Sequence, residues 1–433
     1  RIWSGIGPSR YMFQHALLRD VAYHMQARSL RSKLHLSAAH AISDLHGQDL
    51  SAYYDQLAYH YEQAGAVAQA LEYLEKAGER AKNAYQNGMA IDHYQRALNL
   101  MPEAAPGRLR LLLGLGEVYF WTGDYRGAKE TLLAALDAAR SGDDARNTAD
   151  ALYWLGRVAL ATGDYQLAQE HLEQSLALAR SEKHRETMTR ILYGLGGLHW
   201  SLGRFETSKS CLEESLTLAR LLGNANAELY ALNLLGSVAL NQGELETAHE
   251  FLTQAHDRAR QVGNLERACI ALNNLGVLSG NRGDNPSAQR YYQQALAIAR
   301  EIGDRQTTSL LLVNLAETLI LGEDLDSARR YLREGLGLAH QTGVISNMLL
   351  AIHNAGWLQV RSGNVRRGLA LLGLALYHPA ADSKVKRNVD EKLAYLGLKR
   401  DDPAVAANLE LGKDLDLNPE TRDLLAELGQ AAR

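Results

Sequence analysis

Leucine and alanine recur at helical spacing along most of this chain, and the recurrence itself repeats. Around Gly156, apolar residues stand at Ala151, Leu152, Leu155, Val158 and Ala159. These are the three- and four-residue steps of one buried helix face. Gly163-Asp164 then interrupts the pattern. Glycine suits the left-handed position after a helix end, and aspartate suits the cap of the next helix. Leu167, Ala168, Leu172, Leu176 and Ala179 mark a second amphipathic helix. Each such unit is expected to fold as a helical hairpin.

The unit recurs without insertion or deletion. Glycine occupies positions 116, 156, 196, 236, 276 and 356, with Ala316 in the one gap, a spacing of 40 residues each time. A second glycine follows seven residues later at Gly123, Gly163, Gly203, Gly243, Gly283 and Gly363. A small residue comes five further on, at Ala128, Ala168, Ser208, Ala248, Ala288, Ala328 and Gly368. Arg140, Arg180, Arg220, Arg260 and Arg300 close successive units. Self-similarity this strict decides the fold class ahead of any single residue. The first glycine lies mid-helix, where it is about 1 kcal/mol worse than alanine. Close approach of a neighbouring helix is the expected offset.

These residues resemble the tetratricopeptide repeat. Leu155-Gly156, Ala159, Ala168 and Ser175 sit at its signature offsets. The usual period is about 34, so the helix ends and the turns between units are longer here, as at Leu221-Leu222-Gly223-Asn224. The resemblance covers residues 51–380 and implies an all-α fold, a right-handed superhelix of hairpins. Seven regular repeats are expected over 107–380. Residues 51–106 look like degenerate opening helices, with Pro102 and Pro106 bending the chain ahead of the array. Residues 381–433 are expected to form short capping helices.

The first 50 residues differ. Tyr11-Met-Phe-Gln-His-Ala-Leu-Leu-Arg-Asp-Val-Ala-Tyr23 resembles the end of the winged-helix region in large bacterial STAND-type signalling ATPases and cyclase–ATPase–repeat fusions. The resemblance implies an upstream ATPase module in cis. The chain opens on Arg1, and the expectation is a piece of a longer protein.

Composition narrows the picture. The 433 residues hold 37 Gly beside 7 Pro, which the glycine lattice accounts for without irregular linkers. A net charge of -4 argues against nucleic acid as a general partner. Two cysteines suit a reducing, cytoplasmic setting. No apolar run approaches the ~18 residues of a membrane span.

Catalytic motifs are not found. Gly412-Lys413 lacks the rest of a phosphate loop, and His249-Glu250 has Thr253 where a second metal-binding histidine would stand. His15, His24, His35, His40, His46 and His60 do not stack on one helix face, so no metal site is expected. His15 is expected to tie helix to helix, and Cys211 and Cys269 to be small core or interface residues. No cofactor is expected.

A stack of hairpins carries an extended concave face, and the resemblance assigns that face to the first helix of each repeat. Counting each unit so that its mid-helix glycine is eighth, the second, fifth, sixth, ninth, twelfth and thirteenth positions face inward. Trp121, Trp154, Trp200 and Trp357 fall there, joined by Phe120, Tyr153, Tyr193 and Tyr230. Farther on the same positions carry Asn233, Asn241, Asn273, Asn274, Asn281, Asn314 and Asn354. Asparagine is a poor interior helix residue, so its concentration on one face needs a reason. A row of amides can pair with both N–H and C=O groups of an extended peptide. Aromatic rings offer apolar anchor sites, and Arg110, Arg157, Arg190 and Arg361 offer partners for carboxylates or phosphates. The expected function is non-catalytic: binding of a protein, peptide or small effector as the sensor or scaffold module of a signalling ATPase. Two alternatives are an assembly scaffold and the regulatory arm of a nucleotidyl cyclase or kinase fusion.

Overall fold

In a computed structural model of the chain, a helix begins about every twenty residues through the array, and the reason lies in the turns. The structure describes residues 3–5, 11–13, 21, 23–84, 86–103, 105, 107–381 and 383–429. His15, with residues 14–20 of the N-terminal motif, and Pro106 lie outside them. Left-handed backbone recurs at Gly123, Asp143, Gly163, Lys183, Gly203, Gly223, Gly243, Gly263, Gly283, Gly303, Glu323, Gly343 and Gly363. The next residue often caps the following helix. Asp124, Asp144, Asp164, Asn224, Asn264, Asp284, Asp304 and Asp324 each accept a hydrogen bond from the backbone N–H three residues on. Stop and start are thus encoded together in two residues.

The chain divides into two units, Arg1–Leu198 and His199–Arg433. In the first, β1 (Trp3–Gly5) pairs antiparallel with β2 (Tyr11–Phe13), Trp3 opposite Phe13. These short strands are additions to the otherwise helical fold. Then come α1 (Arg28–His46), α2 (Tyr54–Ala64), α3 (Val67–Asn83), α4 (Asn87–Leu100), α5 (Arg108–Thr122), α6 (Tyr125–Ser141), α7 (Ala145–Ala161) and α8 (Tyr165–Ser181). Helix α9 (Arg185–Ser201) crosses the boundary. The second unit continues with α10 (Phe205–Leu221), α11 (Ala225–Gln242), α12 (Leu245–Gln261), α13 (Leu265–Asn281), α14 (Asn285–Glu301), α15 (Arg305–Leu321), α16 (Leu325–Thr342), α17 (Ile345–Arg361) and α18 (Val365–Tyr377). Three further helices follow, α19 (Ser383–Tyr395), α20 (Pro403–Glu410) and α21 (Leu417–Gly429), with a 3-10 turn at Leu411–Asp414.

Within each unit most helices pack on their sequence neighbours, and first helices of successive repeats also touch, α5 with α7, α11 with α13 and α15 with α17. The mid-helix glycine makes the hairpin possible. A Cβ on Gly156 would stand 2.7 Å from Leu172 Cγ, and one on Gly236 2.6 Å from Leu252 Cγ. On Gly276 it would meet the Tyr292 ring at 2.5 Å. The glycine therefore admits a buried side chain from the second helix of its own hairpin, in the close approach that the mid-helix position implied.

Near the start, α1 is fastened to α2 by two imidazoles. His35 Nδ1 lies 2.8 Å from His60 Nδ1, and the Tyr23 hydroxyl 2.9 Å from His35 Nε2. Only one of the facing Nδ1 atoms can carry the proton. Burial lowers both histidine pKa values, helped by the Arg31 charge at His35 and by His35 at His60. A folded-state pKa below the unfolded value stabilises the neutral form, so this contribution is present at neutral pH. It is lost as pH falls below the unfolded value of about 6.5. Hydrogen exchange should show α1 losing protection between about pH 7 and pH 5. In a His60→Gln variant that loss should be smaller.

Candidate ligand-binding face

The first unit gathers aromatic and cationic groups on α5, α7 and α9. Trp121 and Trp154 meet edge to face at 6.1 Å, with Phe120 at 5.5 Å from Trp154. Tyr153 and Trp154 are themselves largely buried, whereas Trp121 is 53% exposed. Arg157 holds its guanidinium 5.0 Å over the Phe120 ring and donates to the Tyr153 hydroxyl at 2.9 Å. Arg190 lies 5.4 Å from the Tyr153 ring and donates to Asp150 at 2.5 Å. Its Nε is buried without a partner among the described residues. Residues 40 apart in sequence, Asp150 and Arg190, thereby join consecutive first helices. Tyr193 is half-buried on α9.

In the second unit the asparagines form a chain of amides running across the first helices. Asn274 donates to Asn233 at 3.3 Å, from α13 to α11. Asn273 donates to the Asn274 carbonyl at 3.3 Å, and Asn314 on α15 donates to Asn273 at 3.0 Å. Asn354 on α17 extends the series differently, donating to the backbone carbonyl of Val313 at 3.1 Å. A carboxamide has two donors and two acceptor positions. Each linking amide therefore retains hydrogen-bonding capacity after the inter-helix bond is made. Asn273, Asn274 and Asn314 are half-buried, so that capacity is not fully enclosed.

Several inward positions lie elsewhere than a single exposed groove would require. Trp357 and Asn354 are completely buried. Trp357 belongs to the core cluster with Ile352, Leu358, Leu371, Leu374, Leu424 and Leu428. The expectation that it presents a free surface is corrected: the helices after the array cover it. Asn241 is exposed but donates to Ser237 on its own helix at 2.8 Å. Asn281 is exposed. Trp200, on the second unit, is 38% exposed. Tyr230 carries the Arg267 guanidinium 4.0 Å over its ring. Arg361 pairs with Glu323 at 2.9 Å, and Arg110 with Glu75 at 3.0 Å.

Residues outside the periodic pattern also reach this face. Lys392 on α19 donates to Glu317 at 2.6 Å and lies 4.0 Å over the Trp357 ring. Nothing in the repeat pattern marks Lys392, because it follows the last regular unit. The two cysteines are reduced; burial pushes the Cys269 thiol up to about 12, and it donates to the Ala295 carbonyl at 3.3 Å. Among the described residues no group of three His, Cys, Asp or Glu side chains is placed to hold a metal ion, and no helix is long and apolar enough to cross a membrane.

A family model described as a MalT-like TPR region matches residues 81–264, and one for the tetratricopeptide repeat matches residues 266–340. No curated protein sequence matches the chain. Among solved structures, a Rap protein complexed with Competence and Sporulation Factor is similar at 16% identity and a TM-score of 0.60, over 84% of this chain and 99% of that one. The apo form of the quorum sensor NprR from B. thuringiensis is similar at 17% identity and 0.56, over 74% and 91%. A Signal Transduction ATPase with Numerous Domains (STAND) protein with a tetratricopeptide repeat sensor, from Pyrococcus horikoshii, is similar at 14% identity and 0.56. That alignment covers 94% of this chain but 58% of the other. At these identities the likeness is one of fold. With repeat models matching through residues 81–264 and 266–340, on helical hairpins of the same kind, the chain belongs to the tetratricopeptide-repeat family.

Proposed function

We propose that the first-helix face of the second unit binds an extended polypeptide segment. The observation that carries this reading is the amide chain from Asn233 through Asn274 and Asn273 to Asn314. Peptide backbone offers alternating donors and acceptors, and half-buried carboxamides with spare capacity can match either without reading side chains. Because the amides already hold one another, little side-chain freedom is lost when a ligand arrives. The first unit, taken by itself, offers Trp121 as an exposed ring seated beside the buried Trp154, Tyr153 and Phe120, with Arg157 and Arg190 supplying charge. Trp200, Tyr230, Asn241, Asn281 and Arg361 hold further inward first-helix positions of the second unit, and Tyr193 one of the first. The name of one similar structure agrees with a peptide ligand, a Rap conjugation gene regulator of plasmid pLS20 in complex with the Phr* peptide.

We further place the module as the sensor arm of a multidomain signalling ATPase. The MalT-like match, the likeness to the sensor-bearing STAND protein and the motif ending at Tyr23 support that placement. Residues 1–50 would connect to the ATPase module. The repeats would supply binding rather than catalysis.

The test is selection of displayed random peptides on the wild-type chain, followed by affinity measurement on Asn273→Ala/Asn314→Ala. At least a tenfold loss is expected, since each lost hydrogen bond is worth about 0.5–1.5 kcal/mol. Circular dichroism should show the helices retained. Failure to select any peptide, or undiminished binding to the double variant, would remove the amide row from the reading.

A further inference from the structure

Helix α19 follows the last regular hairpin but also lies against that hairpin's first helix, α17. Its contacts fall on positions that face inward in earlier units. Lys392 reaches Glu317 at 2.6 Å and the Trp357 ring at 4.0 Å. Glu317 and Trp357 hold the same position, the ninth, of consecutive units. Tyr395 meets Trp357 edge to face at 5.6 Å and lies beneath the Arg361 guanidinium at 5.9 Å. Arg361 holds the position of Asn241 and Asn281. His353, which holds the position of Asn233 and Asn273, is fully buried, bonded to Asn354 at 3.0 Å and faced by the Asn388 backbone carbonyl. The chain's own helix thus covers the end of the row on which the asparagines lie.

The cover is chemically unlike a hydrophobic cap. Its contact with α17 is made by the Lys392 ammonium on the Trp357 ring and by Tyr395 against Trp357 and the Arg361 guanidinium, while Lys392, its side chain only 13% exposed, pairs with Glu317 on α15. The Trp357 indole N–H is buried with no acceptor among the described residues, an unfavourable condition that water or a bound carbonyl would relieve. The apolar side chains of α19, Val389 and Leu393, join Leu369, Leu372 and Leu376 of α18 and Val405 and Leu409 of α20. Those contacts hold the helix by a side different from the one that covers Trp357.

We propose that α19 is a removable cover over the inner face of the last repeat. A polypeptide segment lying along the amide row would reach Glu317 and Trp357 only by displacing Lys392 and Tyr395. The cover therefore sets how far a ligand extends and opposes the binding of longer ones. This rests on the inner-face reading given above, but its first test needs no ligand.

In the full chain, amides of residues 388–395 should exchange at least tenfold faster than those of 349–358 in α17. Lys392→Ala should accelerate the first group severalfold more and leave the second unchanged. Acrylamide quenching assigned to Trp357, by difference from Trp357→Phe, should rise in the same variant. Exchange of α19 and α17 as one unit, or no response to Lys392→Ala, would overturn the proposal. So would selected peptides that bind without raising exchange in α19, an outcome that would leave the inner-face reading standing.

Discussion

Trp357→Ala should destabilise the last part of the second unit by about 3–5 kcal/mol, the range for truncating a large buried aromatic. The side chain has no exposed surface and sits among Ile352, Leu358, Leu371, Leu374, Leu424 and Leu428. It also carries Lys392 on its face and Tyr395 at its edge. Removing the indole leaves a cavity bounded by three elements, α17, α18 and α21, which cannot all close on it at once. It also leaves the Lys392–Glu317 pair without its aromatic floor. A tryptophan that served only as a ligand anchor would give a different result: weaker binding with unchanged denaturation. Repeat arrays unfold regionally, so hydrogen exchange of α17 and α21 is the appropriate measurement. Trp357→Phe should recover much of the loss, because an aromatic of smaller volume still fills most of the site.

Gly412→Ala should have an effect of similar kind from the opposite cause, overpacking, at about 3 kcal/mol. A Cβ there would lie 2.2 Å from the Leu374 nitrogen, 2.3 Å from the Gly373 carbonyl carbon and 2.6 Å from the Ala370 oxygen. All three are backbone atoms of α18, so no rotamer change makes room. Gly373 answers from the other side, where an added Cβ would lie 2.0 Å from the Leu409 oxygen. The 3-10 turn and α20 must withdraw together, taking Val405 and Leu409 out of their cluster with Leu369, Leu372 and Leu376. Proteolysis and exchange should therefore show residues 403–429 released while α11 to α15 stay protected. Gly163→Ala is the control. It meets nothing within 4 Å and changes only a residue at φ +82°, so the strain should be about 1–2 kcal/mol and local. Equal losses in the two variants would contradict the backbone contact at Gly412.

The two glycines show which features were legible in advance. Gly163 belongs to a lattice: it ends a helix, Asp164 begins the next, and the same pair of jobs recurs at fixed spacing. Periodicity makes such a residue readable because its neighbours in sequence are its neighbours in space. Gly412 belongs to no lattice. In the sequence it is only the glycine of an incomplete phosphate-loop pattern. Its importance comes from Leu374, Gly373 and Ala370, which fold back against it from nearly 40 residues away.

The candidate site divides along the same line. Asn233, Asn273, Asn274 and Asn314 stood out because the 40-residue register put amides on one helix face. That they bond to each other, one repeat to the next, depends on how closely first helices approach. The glycines at 236 and 276 set only the spacing inside each hairpin, where Leu252 and Tyr292 pack against them. The aromatic group around Trp154 was equally visible, but its arginines were not foreseen as ring partners and Asp150 was not foreseen at all. Trp357 was visible as an inward residue and yet lies in the core. Its burial is decided by α19 and α21, whose positions no period predicts.

By itself, then, the amino-acid sequence determined the helical hairpin, its 40-residue period, the turns that stop and restart each helix, and the face on which amides and aromatics gather. All of these arise from contacts within a hairpin or between adjacent hairpins, which a repeating chain states over and over. Only the tertiary structure decided which inward residues remain open, that the amides are linked, and that Lys392 and Tyr395 cover the last of them. Those outcomes rest on single contacts, side chain to side chain between adjacent first helices for the amides and from beyond the last repeat for the cover, and burial at such contacts depends on what folds over a residue as much as on the residue itself.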